Sequence, residues 1–339
     1  MHNHSIIRIA AAACTLSLLA GCTARLDPVE KGTISFTATG SPLLRDDANT
    51  KGGVIKTEFV NNDQFYVYGT KNTSGVFSTV FNGTVVSYNG TSWNYSPLRF
   101  WDSNANNYDF LAVTGSSSIS QTNPLTIALG YSAVDAQYDL MAACHTRPAN
   151  NTAVVDFLFH HMLSAVDVTV YNDSPALDIT LLSYGFRHIF TYGSLTVEAE
   201  GNSPNVSWNP QSDATNTILG SNPEPDAQLP CVSEGVSSFY PATAITDLMV
   251  PQSLEVHGTA VPSLVLEYQY LDGVTPVTVS SVIALSEIKM FGADQYITEW
   301  VPGTRYHYEI HIRMGGGIRI HVTTSAWDVV NAETPGLTI

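Results

Sequence analysis

Basic residues are scarce. The 339-residue chain carries 14 Lys and Arg against 30 Asp and Glu, a formal net charge of −16 at neutral pH. Nucleic acid, which is held through its phosphates by Lys and Arg, would be repelled by this surface. Charged residues of either sign make up only 13%, whereas Phe, Tyr and Trp number 13, 16 and 5. Low charge with many aromatics is not the composition of a disordered chain, and it suits exported β-structure. Reaction motifs are missing too. There is no Gly-x-Ser-x-Gly, no His-Glu-x-x-His and no phosphate loop, and no carboxylate pair stands out for glycoside hydrolysis. Neither an enzyme nor a cofactor is expected.

Long apolar runs are absent except at the start. Residues 9–20 form an apolar stretch behind His2, His4 and Arg8. It is too short for a membrane span, which needs roughly 20 residues, and it fits the core of a secretory signal at 1–21. The stretch ends in Leu19-Ala20-Gly21-Cys22, which resembles a bacterial lipobox. Cys22 is therefore the expected lipidation site, anchoring the chain to a membrane through acyl chains. Of four cysteines, Cys14 would leave with the signal. Cys144 and Cys231 then remain in an oxidising compartment, either as a disulfide or as two separate thiols.

Almost every informative segment reads as strand. Residues 64–70, 76–81, 84–88 and 108–113 are rich in β-formers. Asn82-Gly83 and Asn89-Gly90 read as hairpin turns, because both residue types tolerate positive φ. Residues 144–152 read as a linker and 201–232 as a long polar loop. Further strands are expected at 166–170, 176–182, 195–199, 246–250, 263–270 and 277–283. The clearest piece is the last hairpin. Tyr306, Tyr308, Ile310 and Ile312 alternate with His307, Glu309, His311 and Arg313, and residues 314–317 make the turn. Ile318, Ile320 and Val322 then alternate with Arg319, His321 and Thr323. One face of this hairpin must be buried. The result is an all-β chain of two sandwich domains, 46–150 and 151–339, behind a lipidated segment 22–45.

His307, Glu309 and His311 share a strand face that His321 could join. Residues i and i+4 on a strand lie about 13 Å apart at roughly 3.3 Å per residue. His307 and His311 therefore cannot share one ion, and no metal is expected. Trp93 and Trp101 read as core residues. Trp208 borders the long loop and is less defined.

An ordered set of motifs carries a resemblance. Asp63-Gln64-Phe65-Tyr66-Val67 is followed by Trp93-Asn94-Tyr95-Ser96-Pro97-Leu98-Arg99-Phe100-Trp101 and Tyr108-Asp109-Phe110. Later come Phe157-Leu158-Phe159-His160-His161-Met162-Leu163-Ser164, Met249-Val250-Pro251-Gln252 and Trp300-Val301-Pro302-Gly303-Thr304-Arg305-Tyr306. Together they resemble the fimbrillins, subunits of type V fimbriae. The resemblance implies two transthyretin-like β-sandwich domains and an outer-membrane lipoprotein on the surface of a Gram-negative cell. It also implies partners: a maturation protease and other fimbrial subunits. In that family an Arg- or Lys-specific protease removes the N-terminal segment, and a strand of the next subunit fills the groove it leaves. Arg45 and Lys51, with Lys56 behind them, are the cleavage candidates. Ile34, Phe36 and Ala38 alternate as a groove-plugging strand. The tail after Trp327 is short and contains Pro335 and Gly336, so a tip or accessory adhesin binding a glycan or protein is the alternative to a stalk subunit.

Overall fold

The computed structural model describes residues 32–40, 43–44, 54–55, 58–115, 120–123, 125–133, 138–174, 177–211, 228–229, 239–240, 246–313 and 317–327. Among them the chain is all-β; a single 3-10 turn, Leu285–Glu287, is its one helical element. No helix of the described residues is long and apolar enough to cross a membrane. The main strands are β1 (Phe36–Thr39), β2 (Gln64–Thr73), β3 (Val76–Tyr88), β4 (Asn107–Val113), β5 (Thr126–Ser132), β6 (Met141–Pro148) and β7 (Val155–Leu158). They continue with β8 (Ser164–Asn172), β9 (Ile179–Arg187), β10 (Tyr192–Glu200), β11 (Ser203–Gln211), β12 (Ser263–Asp272), β13 (Thr275–Ala284), β14 (Thr304–Arg313) and β15 (Gly317–Ala326).

A six-stranded sheet runs in the order His160–His161, β6, β4, β2, β3, Trp93–Asn94. Its side chains alternate between two cores, as the two-residue period of a strand requires. Tyr108, Phe110 and Ala112 of β4 join one buried cluster, with Phe65, Val67, Met141 and Ala143. Leu111 and Val113 join the other, with Ala142 and Cys144. Against the first face lie β1 and β7, paired in parallel. Beyond the second face lie three more sheets: β11-β10-β5, β9-β12-β13, and β8-β14-β15 with its parallel β8–β14 pair. The expected junction near residue 150 falls in the turn between β6 and β7. Backbone pairing joins the segments on either side of it, through β1 with β7 and through β5 with β10.

Three sequence expectations are corrected. Asn82-Gly83 is not a hairpin turn. Residues 76–88 form one strand, and the turn is Ser74-Gly75, both with positive φ, closing the Thr73–Val76 pair. The extra residues at Asn82-Gly83 are absorbed as an irregularity opposite Tyr68, where Gly83 has a φ of 66°, a bulge rather than a reversal. Asn89-Gly90 does turn the chain, into Trp93–Asn94. The linker expected at 144–152 is mostly strand, because Met141–Pro148 pairs along its whole length with Asn107–Val113. Finally, the loop expected at 201–232 begins with β11, fully paired to β10. Its Trp208 packs against the core and donates its indole N–H to the Met162 carbonyl at 2.7 Å.

Candidate functional site

The N-terminal strand is the centre of the candidate site. Residues 34–40 alternate between buried and exposed or partly exposed positions, with Ile34 0% and Phe36 4% exposed and Ala38 half-buried. Phe36 lies among five aromatic rings: Phe65, Phe81, Tyr95, Phe110 and Phe157 have centroids 5.4–6.4 Å away. Phe157 is stacked on it and the edges of Phe65, Phe81 and Phe110 meet it. These are the offset and edge-on arrangements that aromatic quadrupoles favour.

The backbone of the segment is held from both sides. On one side Val155 N–H donates to the Ser35 carbonyl at 2.8 Å and Phe159 N–H to the Thr39 carbonyl at 2.9 Å. On the other, Ile34 N–H donates to Arg99 O at 2.9 Å and Trp101 N–H to Gly32 O at 2.7 Å. The Tyr95 hydroxyl donates to the Ile34 carbonyl at 2.5 Å. Thus the Trp-x-Tyr-x-Pro…Trp stretch forms one lip of a groove and β7 forms the other. Thr37 on the outer face donates its hydroxyl to Asp156 at 2.8 Å. At the Gly32 end a cavity of about 540 Å³ opens, lined by Gly32, Trp101, Ser103, Ala105, Asn106 and Pro148 among others. Burying Ile34 and Phe36 contributes roughly 1.5–3 kcal/mol each, and each backbone hydrogen bond adds about 0.5–1.5 kcal/mol net.

Two elements tune the rim. Lys71 donates to Asp102 at 2.5 Å. This hydrogen bond holds the Asp102 carboxyl below its ordinary value and the Lys71 ammonium above its own. Gly69 is glycine because the Phe110 ring crosses it: a Cβ there would meet Phe110 Cδ1 at 2.9 Å and Phe81 Cδ2 at 3.2 Å.

After β1 the chain reaches Leu43–Leu44, which pairs antiparallel with Val54–Ile55. Arg45 and Lys51 lie in the connection between these two short strands and outside the described residues, as do Cys22, Lys56 and Cys231. Cys144 is a buried thiol on β6, and burial pushes its pKa up to about 12. His161, stacked on Trp327 with centroids 3.8 Å apart, is buried against Asp139.

A profile of the fimbrillin-like family matches residues 50–327, and this chain belongs to that family. Membership gives it a fimbrial or adhesive role at the cell surface. Among solved structures, a fimbrial protein from Bacteroides vulgatus shares the fold at 14% identity and a TM-score of 0.56, covering 87% of this chain and 99% of that one. The tip fimbrial protein Mfa3 from Porphyromonas gingivalis is similar at 11% identity and a TM-score of 0.41, over 79% of this chain and 95% of that one. A fimbrilin, FimA, from the same organism is similar at 12% identity and a TM-score of 0.41, over 88% and 98%. No curated protein sequence matches the chain.

Proposed function

We propose that this chain is a structural subunit of a type V fimbria, exported as a lipoprotein through Cys22 and assembled by strand exchange after proteolysis at Arg45 or Lys51. It works from two sandwich domains, 46–150 and 151–339. The observation that carries this reading is the burial of Ile34 and Phe36 in an aromatic groove whose two lips both hydrogen-bond the same short segment.

The physics of exchange follows from that geometry. While β1 is covalently attached, it refills the groove as an intramolecular ligand at an effective concentration of the order of millimolar. Cutting the connection turns it into a dissociable peptide. A strand from a second subunit then competes for the same backbone groups and side-chain pockets, which is β-augmentation. Exchange swaps like contacts for like, so it needs no large net gain. Until cleavage, the plug covers apolar surface and strand edge that would otherwise associate indiscriminately.

The test is limited trypsin treatment of the purified full chain, followed by electrophoresis of unboiled samples. Ladders that resist detergent are expected, and Arg45→Ala, Lys51→Ala and Lys56→Ala together should abolish them. A cleaved chain that sheds its N-terminal segment yet stays monomeric at high concentration would overturn assembly by exchange and favour a tip or accessory adhesin.

A further inference from the structure

The last hairpin carries a second candidate site. Among the described residues, Glu309, His311 and His321 are the one group of three metal-ligating side chains whose donor atoms all lie within 4.8 Å of one another. Register explains the cluster. Glu309 of β14 stands directly opposite His321 of β15. His311 lies two residues further along β14 and so on the same face. The His311 and His321 rings stand 5.3 Å apart and nearly parallel. His321 Nε2 and Glu309 Oε2 approach to 2.5 Å.

The surroundings fix these groups in place. Asp173 accepts from His311 Nδ1 at 3.0 and 3.1 Å, which leaves Nε2 for a ligand, the carboxylate–histidine arrangement of metal sites. Asp173 is itself held by Arg313 at 3.1 Å. The other oxygen of Glu309 is 3.3 Å from His307 Nε2, and His307 in turn contacts Asp167 through Nδ1. Tyr171 stacks on His311 at 4.7 Å and Phe291 lies against His321 at 4.7 Å. Among the described residues His321 Nδ1 is buried with no hydrogen-bond partner. Arg319, opposite His311, is exposed, so solvent screens its charge.

We propose that Glu309, His311 and His321 bind one divalent transition-metal ion of the zinc class, stapling β14 to β15. Two imidazoles and a carboxylate suit such an ion, with water completing a tetrahedron at about 2.0–2.2 Å from each donor. The nitrogen donors disfavour calcium and magnesium. The donors, all within 4.8 Å of one another, must shift to the spacing of roughly 3.4 Å that those bond lengths require.

The experiment is calorimetric titration of the full, untagged chain with zinc chloride near neutral pH. One ion per chain is expected, with calcium and magnesium unable to compete. His311→Ala with His321→Ala should lose at least tenfold in affinity, and Asp173→Asn roughly 10- to 100-fold. His257→Ala, elsewhere on the surface, should change nothing. The wild-type titration needs no variant to fold, so absence of zinc binding there overturns the site. Wild-type affinity in the double variant overturns it equally, because the ion would then be bound elsewhere, for instance at a cysteine.

Discussion

The two buried clusters of this molecule are built on different principles. The first has fifteen buried members, seven of them aromatic, and it depends on β1, a strand separated by more than 100 residues from β7, with which it pairs. The second is mostly Val, Leu and Ile and is closed by long hairpins, β12 with β13 and β14 with β15, whose partners are neighbours in sequence. A hairpin completes itself. The groove around Phe36 is completed by a segment far in sequence from the strand it pairs with, and it is this occupant, not a strand of the second cluster, that the proposed assembly exchanges. Aromatic rings also suit an exchangeable slot, because a few large groups carry most of the burial.

The sharpest way to break this comparison is Phe36→Ala, which should cost about 3–5 kcal/mol as measured by chemical denaturation, and should also weaken retention of the cleaved N-terminal segment. If stability is unchanged, the first core does not depend on β1. Next, Gly69→Ala should cost about 1–3 kcal/mol by pushing Phe110 and Phe81 into the groove, checked in the same denaturation series. Ile310→Val, fully buried between Val170 and Ile320 in the second core, should cost only about 0.5–1.5 kcal/mol and leave segment retention untouched. The smallest effect is electrostatic. The Asp102 carboxyl titrates below its unfolded value because of Lys71. Its contribution is therefore present above the unfolded carboxylate range and is lost as pH falls through the folded value. Asp102→Asn should flatten that acid limb of a melting-temperature profile slightly, since the pair is partly open to solvent.

The all-β class, the buried alternation at Ile34 and Phe36, and the last hairpin were legible because each is a matter of two-residue alternation. What was not legible required partners. Nothing local distinguishes Asn82-Gly83, which bulges, from Asn89-Gly90, which turns; the choice depends on where Ser74-Gly75 has already set the register. The strand Ser203–Gln211 is polar and reads as loop until β10 is laid beside it. The shared face of Glu309, His311 and His321 was legible too, but only the spacing of His307 and His311 along one strand was weighed, not the pairing across the turn. The signal was present: a turn closing Arg313 on Gly317 places residue 309 opposite residue 321.

The six-stranded sheet belongs to both interiors at once, for β2, β4 and β6 send successive side chains to opposite sides. Whatever lies against Phe110 therefore sets the position of Leu111, and through it the packing of residues far from the groove. An ill-fitting guest strand would displace a partition shared with the larger interior, where close packing resists movement. Under the proposed exchange, fidelity in choosing that guest would thus be enforced from behind, by side chains that never touch it.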